Sequence, residues 1–401
     1  MTYPKFKLPT RQAGFSLVDI MVGMVVGLLT VLVIMQSYTA FEGQKRTTTS
    51  SVAAQENGLV ALHTLESDIR MAGAGLITNG ALSCTKVNKY VSGAVTLNQS
   101  FAPVTITDGG ATGAPDAIAI AYSDSACAGG PMRLQAAMPT PSNVITVNTA
   151  NCVNSTAASQ NAYQGDIVLL STPGSGNACT VMQATGQPHT QANGVNILSS
   201  SGQSNYDPPG GFNGTLFPSG GYTVSPQSYV QDMGSLVNNQ YQVLCNSLTV
   251  SDLKTQGAPS CTYNPVTFTN ATGLVNNVVN IQAQYGIAAA NPPHSQSVTC
   301  WVNATGAGTN ACDADDWQTP SDADIARIKA IRLAVVVRSS QPEKPVNGVC
   351  AATPSAAAPN YPSSWPGGPA IDVTTLPNWQ CYRYKVYQTI IPLRNVLWAN
   401  L

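Results

Sequence analysis

The sequence contains few charged residues. Asp, Glu, Lys and Arg make up only 9% of its 401 residues, compared with roughly 25% in ordinary soluble domains. The formal net charge is −1, which argues against a nucleic-acid-binding domain, because such domains are strongly basic. Gly, Ser, Thr, Asn and Gln take the place of the missing charges, which is typical of a β-rich domain with long loops outside the cytoplasm.

Motifs of catalytic and metal-binding sites are also missing. The three histidines, His63, His189 and His294, lie far apart and lack the HExxH spacing of zinc proteases. The sequence contains no GxSxG nucleophile motif and no phosphate-binding P-loop. We therefore expect surface histidines in a protein that is not an enzyme and that has no cofactor and no metal.

A cluster of aspartates is the one sequence feature that suggests a cation. Its members are Asp313, Asp315, Asp316, Asp322 and Asp324. Calcium needs several oxygens that converge on one point, but the glycine and the terminal glutamate of an EF-hand loop are absent. The cluster favours a solvated acidic loop that leads into a helix, with a calcium site as the alternative.

The cysteines have the pattern of an exported domain. There are ten, all beyond residue 35: Cys84, Cys127, Cys152, Cys179, Cys245, Cys261, Cys300, Cys312, Cys350 and Cys381. None forms a CxxC pair, which metal and redox sites usually need, and an even number in an exported domain indicates disulfides. The sequence does not give their connectivity. Pairing between neighbours would join Cys245 to Cys261, Cys300 to Cys312 and Cys350 to Cys381.

Residues 14–34, GFSLVDIMVGMVVGLLTVLVI, form a long apolar segment. A membrane-spanning helix needs roughly 20 apolar residues, and between residues 15 and 35 the only ionisable side chain is that of Asp19. The preceding leader contains Lys5, Lys7 and Arg11 and no acid. Positive flanks stay in the cytoplasm, so we expect one span whose C-terminal side faces outwards.

Asp19 is the unusual residue of this span. A carboxylate inside a span is energetically costly and is usually functional. If the chain is cut after Gly14, the free amine of Phe15 lies about one helical turn from Asp19, and Asp19 could pair with the amine of a neighbouring subunit. The alternative is an acid at headgroup depth with no partner. The cut would change the net charge from −1 to −4.

Residues 14–19, GFSLVD, resemble the class III signal of type IV prepilins and of type II secretion pseudopilins. The resemblance implies that a prepilin peptidase cuts between Gly14 and Phe15 and methylates the Phe15 amine. It also implies a docking role for Asp19. That family usually has glutamate at this position, one methylene longer than the aspartate of this chain.

The pattern beyond the span predicts that the helix continues to residue 71. A stripe of apolar residues has helical spacing: Val52, Leu59, Leu62, Leu65, Ile69 and Ala72. Gly23 and Gly27 form a GxxxG motif that permits close helix approach. Gly43 and Gly58 are expected weak points, and the glycines at 73 and 75 are expected to end the helix.

From about residue 76 the sequence pattern indicates strands and long loops. The expected strands are 103–108, 116–122, 144–148, 166–171, 179–184, 241–250, 279–287, 331–338 and 381–391. Alternating polar residues predict that strand 279–287 is half-buried. Ser321 and Asp324 predict a capped helix over 321–330. Loops 199–221 and 341–377 are unusually long, and the aromatic strand with Tyr382, Tyr384 and Tyr387 is either packed in the head or a ligand surface.

Several segments of the head resemble the PilW family of type IV pilus assembly proteins. They are GDIVLLS (165–171), QYGI (284–287), the run from Trp317 through IKAIRLAVVVRSS (328–340), and YRYKVYQTIIPLRN (382–395). That family consists of minor pilins and is related to the J-type minor pseudopilins of type II secretion.

The residues and the resemblance together give one set of expectations. The fold is α+β and pilin-like: a long N-terminal helix packs on an antiparallel β-sheet head with long loops. Residues 1–14 form the removed leader, 15–71 the helix (15–35 transmembrane, 36–71 amphipathic) and 72–401 the disulfide-containing head outside the cytoplasm.

The expected function is that of a minor pilin in type IV pilus assembly, in the initiating or tip complex. Expected partners are other minor and major pilins, the prepilin peptidase, the inner-membrane assembly platform and a tip adhesin, with no nucleic acid. The chain is expected first in the inner membrane as a single-pass protein and then in the pilus on the cell surface. The alternatives are a minor pseudopilin of a type II secretion system and a membrane-anchored surface-binding domain.

Overall fold

The structure is a computed structural model, and its chain divides into two units, Met1–Val52 and Ala53–Leu401. It describes residues 16–78, 81–91, 93–110, 113–125, 130–139, 144–150, 153–158, 162–198, 204–207, 216–254, 257–291, 295–345, 348–353 and 367–399.

Helix α1 spans Leu17–Met71, 55 residues, and confirms the long helix predicted from the sequence. From Leu17 to Met35 the helix is apolar on all sides apart from Asp19 and Thr30, as a spanning helix is. It ends where Gly73 and Gly75 take positive φ values of 81° and 74°, which glycine adopts without steric cost. Gly58 lies inside the continuous helix.

The remaining elements form a largely antiparallel β head, and the α+β prediction is confirmed. The strands are β1 (Ile77–Thr78), β2 (Ala81–Leu82), β3 (Lys86–Val91), β4 (Ala94–Ser100), β5 (Val104–Thr107), β6 (Ala117–Tyr122), β7 (Met132–Arg133), β8 (Val144–Val147), β9 (Ser155–Ala158), β10 (Ala162–Gly165), β11 (Ile167–Ser171), β12 (Cys179–Gln183), β13 (Gly186–Gln191), β14 (Gly194–Leu198), β15 (Tyr229–Asp232), β16 (Val237–Leu244), β17 (Ser247–Asp252), β18 (Ser260–Thr262), β19 (Thr267–Thr269), β20 (Thr272–Asn276), β21 (Val278–Ile287), β22 (Cys300–Val302), β23 (Ile328–Arg338) and β24 (Tyr384–Pro392). Two short helices are α2 (Asp322–Arg327) and α3 (Arg394–Ala399), and a 3-10 turn spans Trp379–Cys381.

Within the described residues, the head contains four sheets of three or more strands. Their strand orders are β20-β17-β16-β6-β5, β22-β21-β23-β24, β4-β3-β12-β11-β15-β7 and β13-β14-β8. The pairings are antiparallel except that of β12 with β3. Three further pairs, β1–β2, β9–β10 and β18–β19, are separate two-stranded ribbons.

The largest core, called here the helix-side core, joins α1 to the five-stranded and four-stranded sheets. Leu65 and Ile69 of α1 are fully buried in it, together with Ile118 of β6, Tyr285 of β21 and Leu333 of β23. Side chains from distant parts of the sequence therefore close around one face of the helix, and this burial is its main stabilisation.

A second core and a third core lie on the two faces of the six-stranded sheet. Along β11, Val168 and Leu170 belong to the second core, whereas Ile167 and Leu169 belong to the third. Because both faces of the strand are buried, its sequence is continuously apolar rather than alternating. Neither core contains a described residue of α1.

Two strand predictions are wrong in instructive ways. The strand predicted for 241–250 is a hairpin, because Cys245 and Asn246 turn the chain with φ values of 47° and 57°, the conformation of a tight hairpin turn. Strand β21 is buried on both faces rather than half-buried. A bulge between Val278 and Asn280 also moves Val279 to the opposite face from Ile281.

Candidate functional site

The processing residues predicted from the sequence, Gly14 and Phe15, lie outside the described residues. Asp19 is exposed in the first turn of α1, and its Oδ2 accepts a hydrogen bond from the Ser16 backbone N–H at 3.3 Å. The Ser16 hydroxyl accepts from the Val18 N–H at 3.3 Å. This reciprocal arrangement resembles a capping box, so Asp19 also helps to start the helix.

The first half of α1 presents a continuous apolar surface. Leu17, Met24 and Leu28 are among the side chains more than two-thirds exposed, and no atom lies within 4 Å of a Cβ built on Gly23 or Gly27. By length and composition the helix can cross a membrane. Such a surface can contact either lipid or other apolar helices.

The second half of α1 is held by the head through small residues. Ala54 and Ala61 are buried, as are Leu65 and Ile69 one and two turns later. A Cβ built on Gly58 would lie 2.2 Å from Cε2 of Tyr387 in β24. Gly58 is therefore a close-contact position rather than the weak point predicted from the sequence.

The predicted apolar stripe is only partly correct. Val52 and Leu59 are more than half exposed, whereas Leu65, Ile69 and Ala72 are buried as predicted. The exposed residues enlarge the apolar surface of α1 beyond the spanning segment, which a second helix could cover.

Polar contacts fix the C-terminal part of α1 against the sheets. Asp68 accepts hydrogen bonds from the hydroxyls of Tyr241 and Tyr122. Burial, followed by the Asp68 charge, raises the pKa of Tyr122 to about 12 and also raises the pKa of Tyr241. Asn395 Nδ2 donates to the Met71 and Ala72 carbonyls at 3.1 and 3.2 Å, and so satisfies acceptors at the helix end.

A buried carboxylate connects the loop before β6 to β21. Asp116 Oδ1 accepts from the Gly109 N–H at 2.9 Å, and Oδ2 accepts from the Ala283 N–H at 2.8 Å. Burial raises the pKa of Asp116 to about 7. Beside it, Asn280 and Gln282 donate to the Gly113 and Ala114 carbonyls, which explains why the polar face of β21 is buried.

The aspartate cluster is organised around Arg327. Its guanidinium forms ion pairs with Asp313, Asp315 and Asp324 and lies 5.4 Å from the centre of the Trp317 ring. Within the described residues, no group of three or more His, Cys, Asp or Glu side chains could hold a metal ion. Three of the five carboxylates therefore face the Arg327 cation rather than only solvent, and the solvated-loop interpretation is corrected for these three.

Two neighbouring predictions have clear outcomes. The capping box of α2 is confirmed, since the Ser321 and Asp324 side chains bond reciprocally to each other's backbone N–H groups. The aromatic strand is packed in the head: Tyr384 is buried and donates to the Trp379 carbonyl at 3.1 Å, and Tyr382 lies against Arg338.

His63 and His189 are exposed, whereas His294 lies outside the described residues.

The described part of the head contains four disulfides. The structure joins Cys245 to Cys261, Cys300 to Cys312 and Cys350 to Cys381, the neighbour pairs expected from the sequence. It also joins Cys84 to Cys179 across 95 residues, a pair that spacing alone did not suggest. Cys127 and Cys152 lie outside the described residues.

Comparison with known proteins gives one match. The family model described as type IV pilus-assembly protein W (PilW) matches residues 237–395, about two-fifths of the chain. No curated protein and no solved structure matches.

The matched region runs from the start of β16 into α3. It includes all of the four-stranded sheet and three of the five strands of the other sheet in the helix-side core. It also contains three of the four segments that resemble the family, while 165–171 lies outside. The match indicates a role in type IV pilus assembly, and it supports the assignment of this chain to the PilW family.

Proposed function

We propose that this chain is a minor pilin that joins the type IV pilus through α1. The observation that carries the proposal is the coincidence of the family match with the strands that hold α1. A helix that is held by strands of the matched region and that also exposes an apolar surface is expected of a subunit that packs helix against helix. The domain division is then a leader of residues 1–14, a helix of 15–71 and a head of 72–401.

The proposed route begins in the inner membrane, with the head outside the cytoplasm. The prepilin peptidase cuts between Gly14 and Phe15 and methylates the new amine, and the assembly platform then moves α1 from lipid into the fibre. Asp19 pairs with the amine of a neighbouring pilin. In a water-poor fibre core such a pair is far stronger than at a surface.

The size of the head favours a low-copy position. A head of more than 300 residues at every level of a fibre would crowd its neighbours, so we place the chain in the initiating or tip complex, with other minor and major pilins and a tip adhesin as partners. Deletion of the gene should abolish surface pili and twitching motility. Unchanged piliation and motility would refute the proposal, and a secretion defect with normal pili would indicate a type II pseudopilin.

The role of Asp19 can be separated from its capping role by three variants. Asp19→Asn keeps an oxygen acceptor for the Ser16 N–H but removes the charge, whereas Asp19→Glu keeps the charge. We expect the asparagine and alanine variants to be processed but poorly incorporated into pili, and the glutamate variant to be incorporated normally. Normal incorporation of the asparagine variant would show that the charge does not dock the subunit.

A further inference from the structure

Lys329 is a buried lysine near the start of β23. Only 2% of its surface is exposed, and lysine is rarely buried to this extent without a paired charge. Its Nζ donates to the Ala326 carbonyl at 2.8 Å, in the last turn of α2, but no described carboxylate forms an ion pair with it. An ammonium has three donors, so this single bond leaves the buried charge without compensation.

A β-bulge determines where the Lys329 side chain lies. Ile287 is opposite Ile328, whereas Gly286 is opposite Ala330, so Lys329 is the extra residue of β23. The bulge lets Ile328 join the helix-side core while the next side chain, that of Lys329, lines a cavity. Bulges often redirect a side chain in this way beside functional sites.

The cavity beside Lys329 suits a small apolar ligand. Its volume is about 360 Å³, near the lower end of the range for ligand sites. Much of its wall consists of alanines from the segment after β21 and from α2: Ala288, Ala289, Ala290, Ala323 and Ala326. Their methyl groups leave room for a ligand and offer it few hydrogen bonds.

The charges of the cavity favour a neutral ligand over an ion. Asp315 and Asp324 line it, as does Arg327, which pairs with both carboxylates. An anion would be repelled by the carboxylates and a cation by Lys329 and Arg327. Burial lowers the pKa of the Lys329 ammonium from its ordinary value of 10.5, so more of the nucleophilic free amine is present than in an exposed lysine. Desolvation and a nearby cation are known ways of activating a lysine.

We propose that Lys329 is a reactive amine that binds a small apolar aldehyde in this cavity as an imine. The ammonium gives a proton to water, and the Nζ electron pair forms a bond to the carbonyl carbon. The carbonyl oxygen leaves as water, so amine and aldehyde give imine and water with no change in oxidation state. The site is separate from α1 and does not depend on the proposed function.

Reductive labelling of the full-length chain in detergent tests the proposal. Propanal is added at pH 7 with cyanoborohydride, which reduces the imine to a stable propyl amine, and peptide mass spectrometry gives the initial rate at each lysine. Lys344 is the internal reference because it is exposed. Glyceraldehyde is the matched probe, since it has the same three carbons but carries two hydroxyl groups. Ala289→Leu fills the cavity and Ala289→Ser leaves it open, with circular dichroism to confirm that both variants are folded.

We expect propanal to label Lys329 at least about tenfold faster than Lys344, and glyceraldehyde to show a smaller preference for Lys329. Ala289→Leu should abolish the preference for Lys329 and Ala289→Ser should retain it, while labelling of Lys344 stays the same. Labelling of Lys329 no faster than that of Lys344 would overturn the proposal. Equal preferences with the two aldehydes, or an unchanged preference in a folded Ala289→Leu chain, would also overturn it. The comparison of two lysines and two aldehydes needs only the unchanged chain, so it decides even if Ala289→Leu does not fold.

Discussion

The helix-side core and the second core are organised around different parts of the chain. The first encloses α1 and consists largely of strands within the family match, whereas the second is formed by residues 132–230 and lies outside the match. The two cores therefore have different structural roles. The helix-side core holds the C-terminal part of α1, and the second core contains no described residue of that helix.

The largest expected effect concerns the helix-side core. Leu65→Ala should lower the free energy of unfolding by about 2–5 kcal/mol, because a fully buried leucine leaves a cavity. Leu59→Ala is the matched control on the same helix and should change it by less than about 0.5 kcal/mol, because Leu59 is exposed. Urea unfolding of the detergent-solubilised chain measures both. Equal losses of unfolding free energy would contradict the burial of Leu65 and the exposure of Leu59.

The next prediction tests whether the six-stranded sheet and the helix-side core lose structure separately. Replacing Cys84 and Cys179 by serine should destabilise the head by about 2–4 kcal/mol, because this bridge closes a long loop. The rate of amide hydrogen exchange should increase more in β11 and β12, next to the lost bridge, than in β21 and β23. A uniform rise throughout the head would contradict the separation into two regions.

The close contact between α1 and β24 should have a smaller effect. Gly58→Ala places a methyl group against Tyr387 and should cost about 1–3 kcal/mol despite the better helix propensity of alanine. Gly43→Ala meets no atom within 4 Å and should be neutral or stabilising by at most about 1 kcal/mol. Thermal unfolding of the two variants makes the comparison, and a stabilised Gly58→Ala chain would show that the helix does not lie this close to the sheet.

The last prediction is a pH dependence of stability that comes from Asp116, beside β21. Because burial raises the pKa of Asp116 above its unfolded value of 3.8 to about 7, the folded state binds the proton more tightly. The resulting stabilisation is complete below about pH 4 and is lost as the pH rises towards 7, with a slope of at most about 1.4 kcal/mol per pH unit. Asp116→Asn removes this contribution. If the unfolding free energies of the unchanged chain and the Asp116→Asn variant change identically with pH between pH 4 and 7, this contribution of Asp116 is refuted.

Patterns that depend on neighbouring residues were predictable from the sequence. The apolar run and the following stripe predict α1, the pattern over 331–338 predicts a strand that lies within β23, and Ser321 with Asp324 predicts the start of α2. In each case the signal is the spacing of residues within one element.

Features that depend on distant residues were not predictable. Gly58, Ala54 and Ala61 face the head because a small residue lets Tyr387 and the sheet approach, yet small residues add little to a hydrophobic pattern. The polar residues of β21 indicate solvent, but a loop more than 160 residues earlier supplies carbonyls that bury them. The hairpin turn at Cys245 and Asn246 lacks the glycine that marks most such turns.

The central claim is that α1 enters a pilus as a processed pilin helix. The most direct test is mass spectrometry of the N-terminal peptide of the chain purified from piliated cells. We expect a chain that begins at Phe15 with one added methyl group on its amine. A chain that still begins at Met1 in cells with functional pili would contradict the account.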